Sequence, residues 1–112
     1  MLARRHEQDG VTVFEIDEAR LDAAKAPELR QTLLDAVDAG AQSFVLDLTR
    51  VEFMDSSALG ALISTVKRLG PLGALHIAGA AGSVEKLFAI TRMDRVFRIF
   101  PTRDAAIAAA QA

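Results

Sequence analysis

Residues 43–69 read SFVLDLTRVEFMDSSALGALISTVKRL, and this stretch decides the fold. Its first six residues, Ser43 to Leu48, form a short and nearly continuous apolar run, the pattern of a strand covered on both faces as in a parallel sheet. From Ser56 to Leu69 the apolar residues Leu59, Leu62, Ile63, Val66 and Leu69 recur at helical spacing, and Gly70-Pro71 ends the run. A strand followed by a helix, joined through Phe53 and Met54, is half of a parallel βαβ crossover.

Working outward, the same alternation continues downstream. Residues 74–78 read as a strand, 83–91 as a short helix capped by Ser83, and 96–100 as a last strand; the tail from Thr102 is rich in alanine, with Ile107 its one sizeable anchor. Upstream, residues 24–39 carry Leu29, Leu33, Ala36 and Val37 at helical spacing, with Pro27 near the first turn and Gly40 past the end. Residues 11–16 alternate as a strand, and Asp9-Gly10 predicts a hairpin turn pairing them with residues 2–7. The expected architecture is α/β: a mixed sheet of about five strands, made of an N-terminal hairpin plus parallel βαβ units with right-handed crossovers, packed with about four helices.

A chain of 112 residues has room for one core, so residues 1–112 are expected to form a single domain. A composition 51% apolar and 25% charged is that of a globular protein rather than a disordered or fibrous one. The net charge of −2 comes from interleaved acids and bases, which argues against a nucleic-acid-binding face. The absence of cysteine excludes disulfides, thiolate metal sites and cysteine nucleophiles. Met1 to Gly10 lacks the apolar core of a signal peptide, and no stretch approaches the roughly 20 apolar residues that span a bilayer. Membrane insertion is not expected, and a cytoplasmic location is.

In α/β sheets, partners meet the protein at the carboxyl ends of strands, where the next helix presents free N–H groups. Thr49 to Gly60 is such a place. On a helical wheel of about 100° per residue, Ser57 falls opposite the stripe that begins at Leu59, and therefore faces solvent. Ser56 lies nearer the edge of that stripe, so Ser56 or Asp55 is the candidate N-cap. The face beside Ser57 consists of the small residues Gly60, Ala61 and Ser64. Such a face admits close approach of a partner, or alternatively lies under another element of the same domain.

Val45-Leu46-Asp47-Leu48 followed by Phe53-Met54-Asp55-Ser56-Ser57-Ala58-Leu59-Gly60 resembles the signature of the STAS family, in its anti-sigma factor antagonist branch. Arg20-Leu21-Asp22-Ala23-Ala24 and Pro27-Glu28-Leu29 resemble that family's lead into its first helix, and the element order agrees over nearly all of the chain. The resemblance implies a bacterial partner-switching protein rather than an enzyme. Unphosphorylated, it would bind an anti-sigma factor that is also a serine kinase of the histidine-kinase-like ATPase type. Phosphorylation at Ser57 would inactivate it, and a phosphoserine phosphatase would restore it. The expected partner surface comprises Asp22, Asp55 and Ser57, which the resemblance implies, together with Ser56 and the small residues Gly60, Ala61 and Ser64 that the wheel places beside Ser57. The chain departs from the family pattern at Ala58, where glycine is common, at Thr91-Arg92-Met93, where threonine-glycine-leucine is common, and at Lys25, where threonine is frequent. STAS-like domains also serve as non-switching accessory subunits in lipid-transport complexes or as stress-signalling scaffolds, and the intact Asp55-Ser56-Ser57 favours the switch.

The remaining chemistry-bearing residues imply little. His6 and His76 lie on different strands with no cysteine and no carboxylate motif near them, so neither a metal nor a cofactor is expected. Ser57 lacks both the glycines of a nucleophile elbow and a histidine to activate it. Gly79-Ala80-Ala81-Gly82-Ser83 matches no phosphate-binding fingerprint. Asp47, inside an apolar strand, needs a partner such as a loop N–H.

Overall fold

The computed structural model describes residues 2–111. The chain opens with strands β1 (Ala3–Gln8) and β2 (Val11–Ile16), antiparallel in the register Gln8↔Val11. Asp9 and Gly10 between them both have positive φ, 54° and 83°. That is the backbone of a type I′ hairpin turn, and an Asp-Gly pair adopts it readily. A short strand β3 (Arg20–Leu21) leads to helix α1 (Ala26–Asp38), then come β4 (Ser43–Asp47), a second short strand β5 (Phe53–Met54) and helix α2 (Ser56–Leu69). Strand β6 (Ala74–Ala78), helix α3 (Gly82–Ile90), a 3₁₀ turn at Met93–Arg95, β7 (Arg98–Phe100) and helix α4 (Arg103–Gln111) complete it.

The main sheet has the order β1-β2-β4-β6-β7, antiparallel only at β1 and parallel elsewhere. The mixed α/β fold expected from the sequence is therefore the fold observed. Strand alternation divides the core between the two faces. Phe14, Ile16, Phe44, Leu46 and Ile77 point to one side, where Leu29 and Leu33 of α1, Leu59 and Leu62 of α2 and Phe88 of α3 cover them. Val11, Val13, Val45 and Ala78 point to the other, under Ala106 and Ile107 of α4. Leu29, Leu33 and Leu62 are fully buried, and burying such a side chain contributes about 1.5–3 kcal/mol each. At the β6 end, Gly79 has φ 74°, and a Cβ there would stand 2.3 Å from the Thr49 hydroxyl. Only glycine fits that approach.

Several expectations from the sequence are corrected. Helix α1 begins two residues later than residue 24, because the carbonyl of Asp22 takes the N–H groups of Lys25 and Ala26 in a preceding turn. Ser83 does not cap α3: the helix starts at Gly82 with Ala81 extended before it, and the Ser83 hydroxyl instead donates to the Glu52 carbonyl at 2.7 Å. The last strand is shorter than 96–100. Arg92 is left-handed at φ 60°, and the Met93 carbonyl accepts from Val96 and Phe97, so the chain is still turning until Arg98. The parallel pair β3–β5 stands apart from the main sheet and was not expected, since neither two-residue stretch shows a period.

Candidate functional site

The pair β3–β5 positions the site. Its register, Arg20↔Phe53 and Leu21↔Met54, leads directly to Asp22 on one strand and Asp55 on the other, and the Asp55 N–H donates to the Leu21 carbonyl at 3.1 Å. The two carboxylates that the sequence separates by a whole strand and helix thus leave one small sheet side by side. The Arg20 guanidinium lies 4.3 Å from the Phe53 ring centre and covers the pair from outside.

Asp55, not Ser56, caps α2. Its backbone is extended, and one side-chain oxygen, Oδ1, accepts from the N–H groups of Ser57 at 2.9 Å and Ala58 at 3.2 Å. With that role filled, both serine hydroxyls are free of capping work, and Ser56 and Ser57 are exposed. The Asp22 carboxylate accepts from the Ala24 N–H at 3.2 Å and lies 4.0 Å from the Arg20 guanidinium.

Ser57 opens onto a groove of about 500 Å³ between α1 and α2. Ala23, Ala26, Pro27 and Arg30 line one side, and Ser57, Gly60, Ala61 and Ser64 the other. Four of the residues read as a partner surface, Ser57, Gly60, Ala61 and Ser64, are brought together here. Asp22, Asp55 and Ser56 stand outside the groove, at the head of α2. The wheel is corrected at Ala61, which is 4% exposed rather than outward-facing. Helix α1 packs along that flank of α2 and closes over it, so Ala58, Ala61 and Thr65 are buried as deeply as the leucine stripe, and the Thr65 hydroxyl donates back to the Ala61 carbonyl at 2.9 Å. Arg30, Ala23, Ala26 and Pro27 escaped the sequence reading. For three of them the signal was spacing: Pro27, Arg30 and Leu34 form one row along α1, with Ala26 one turn before Arg30, while Ala23 precedes the helix.

Among the described residues, no histidine lines this groove. Ser57 therefore has no base at hand to raise its nucleophilicity, and the groove offers a surface for contact and a hydroxyl for modification. A family model described as STAS domain matches residues 3–106. The chain belongs to the STAS domain family. It is 30% identical over 80 residues to the anti-sigma-B factor antagonist of Staphylococcus aureus, a match covering 70% of this chain and 74% of that one. Among solved structures, an anti-sigma factor antagonist from Mycobacterium paratuberculosis superposes with a TM-score of 0.91 at 27% identity, over 98% of this chain and 93% of the other. The phosphorylated form of the Bacillus cell fate determinant SpoIIAA shares the fold, with a TM-score of 0.72 at 19% identity over 95% of this chain and 96% of that one.

On the opposite face of the STAS sheet, a second polar group serves the scaffold. Asp47, 5% exposed, accepts from the Thr49 N–H at 2.9 Å and its hydroxyl at 2.5 Å, the loop partner that its place in an apolar strand required. It also accepts from the Arg103 Nε at 2.9 Å, and Arg103 pairs in addition with Glu15. Burial pushes the Asp47 carboxyl up, but the Thr49 hydroxyl and N–H and the Arg103 guanidinium outweigh it and hold the group below its ordinary range.

His76, 6% exposed, lies on that same face between Val45 and Arg98, stacked at 5.7 Å on Phe100, with no partner for Nδ1 among the described residues. Burial lowers its pKa below the ordinary 6.5, and the Arg98 charge adds to this against the opposing effect of the Phe44 backbone. The unfolded chain binds a proton at pH values where the folded one does not, so stability is full above about 6.5 and falls as the pH drops from there through the folded value. Urea midpoints measured across pH 7 to 5 should decline in the wild type, and the decline should be shallower in His76→Phe. Parallel curves would remove His76 as the cause.

Proposed function

We propose that this STAS domain is an anti-sigma factor antagonist that works by phosphorylation-controlled docking at Ser57. Unphosphorylated, it binds an anti-sigma factor that is also a serine kinase of the histidine-kinase-like ATPase type, and so releases the sigma factor. The kinase then transfers the γ-phosphoryl group of ATP to the Ser57 Oγ, the hydroxyl losing its proton and ADP leaving, and the modified protein lets go. A phosphoserine phosphatase resets it.

The observation that carries this reading is the division of labour at the head of α2: Asp55 performs the capping, which leaves the Ser57 hydroxyl exposed at the mouth of the α1–α2 groove. The names of the relatives support the class of function, and the phosphorylated SpoIIAA shares the fold. Residues Asp22, Asp55, Ser56, Gly60 and Ser64 complete the docking surface in this proposal, and Ala61, buried under α1, forms the floor of the groove beside them. The small side chains let a partner approach the backbone of α2 closely, and Asp22 and Asp55 give the rim negative charge.

The test separates the two serines. Incubated with the kinase and labelled ATP, Ser56→Ala should take up phosphate as the wild type does, and Ser57→Ala should take up none. Labelling retained in Ser57→Ala and lost in Ser56→Ala would reject the assignment.

A further inference from the structure

Arg30 is the only charged side chain that lines the groove at Ser57, and it forms no ion pair among the described residues. Of Lys67 and Arg68, the basic residues along the groove's continuation, Arg68 is engaged differently, 2.6 Å from the Asp38 carboxylate. An unpaired guanidinium therefore shares a cavity of about 500 Å³ with the hydroxyl read as the phosphate acceptor, and among the described residues no carboxylate lines that cavity.

We propose that phosphate on Ser57 is clamped within the same molecule by Arg30 across the α1–α2 groove. The inference rests on Ser57 as the modified residue. Helices α1 and α2 each connect neighbouring parallel strands of the main sheet, so they run in the same direction. Arg30 and Ser64 both line this groove and its continuation toward Lys67. Seven residues of helix separate Ser64 from Ser57, about 10 Å along the axis. Side chains on a helix lean toward its N-terminus, which carries the Arg30 guanidinium back toward Ser57. The interval left is one that an extended arginine and the length of a phosphate can span together. Guanidinium and phosphate then match as two parallel N–H···O bonds.

The clamp changes how the switch acts. With the guanidinium drawn to the phosphate, the pair lies over Gly60 and Ala61 and closes the small-residue groove. Docking is then lost by occlusion in addition to the new charge. Asp22 and Asp55, at the head of α2, repel the phosphate from the other side and favour its leaning into the groove.

The phosphate's own titration reads the clamp. Phosphoserine is incorporated directly at position 57 during synthesis, so that no kinase is needed, and the ³¹P resonance is followed from pH 4 to 8. The second phosphate pKa, ordinarily about 6, should lie lower in the Arg30-containing protein than in Arg30→Gln by roughly half a unit, the direction an opposite charge imposes. Arg30→Lys should fall between, since it keeps the charge and loses the fork. Superimposable curves for the wild type and Arg30→Gln would overturn the clamp. Failure of the docking proposal looks different: the partner would bind the phosphorylated and unphosphorylated chains equally, whatever the titration shows.

Discussion

Replacing Ser57 by aspartate is expected to weaken binding of the anti-sigma factor kinase about a thousandfold while leaving the thermal midpoint almost unchanged. The fold tolerates the charge because the site is exposed and at the N-terminus of α2, where a negative group gains about 0.3–1 kcal/mol from the helix dipole. Repulsion from Asp22 and Asp55 offsets part of this, in high dielectric and under salt screening. A docked partner alters the balance. It must strip water from the new carboxylate, and burying an unpaired ion costs on the order of several kcal/mol. A loss of about 4 kcal/mol is three decades in affinity. Calorimetric titration against the purified partner, with melting curves of both proteins beside it, is the measurement. Equal affinities would end the phosphoswitch reading, and a midpoint that falls by many degrees would mean that the variant reports unfolding rather than docking.

How much of this was readable in advance depends on how local its causes are. Helix α2 agrees with the sequence reading at both ends, because Asp55, Gly70 and the leucine stripe between them are all local signals. The hairpin was legible from Asp9-Gly10, where residue type determines backbone handedness. The placement of Ser57 on the exposed side followed from the wheel alone. The wheel failed at Ala61 because it describes one helix in isolation, and what buries Ala61 is α1, whose docking depends on the crossover geometry of the whole sheet. The pair β3–β5 was beyond reach for a related reason: two residues carry no periodicity, and only the return of the chain past Ala19 and Leu21 gives Phe53 and Met54 a partner. Family resemblance supplied Asp22 as a site residue, and the register of that pair supplies the physical reason it stands beside Asp55.

A stabilising contact that no local pattern announces joins residues 56 positions apart, Arg103 to Asp47, and removing it should cost about 3 kcal/mol. From the sequence, the tail after Thr102 promised only Ile107 as an anchor. In the structure, Arg103 begins α4 and is held by Asp47 and Glu15, with the His6 Nε2 3.3 Å from its guanidinium, while Ala106 and Ile107 cover the back of the sheet. Arg103→Met keeps the apolar stem of the side chain and removes the guanidinium with its charge and donors. Asp47 is then a carboxylate 5% exposed whose remaining partner is Thr49, with Glu15 left facing it unneutralised. Urea unfolding at pH 7 should show the full loss. The sign of the pH dependence distinguishes this cause from simple loss of packing. With its pKa held below the ordinary 3.8, Asp47 contributes stability above that value, which is lost as the pH falls through the folded pKa. Without Arg103 the carboxyl takes up its proton at higher pH, so the wild type and Arg103→Met should converge as the pH is lowered toward 4. A difference between them that stays constant from pH 7 to 4 would assign the effect to the packing of α4 rather than to the charge of Asp47.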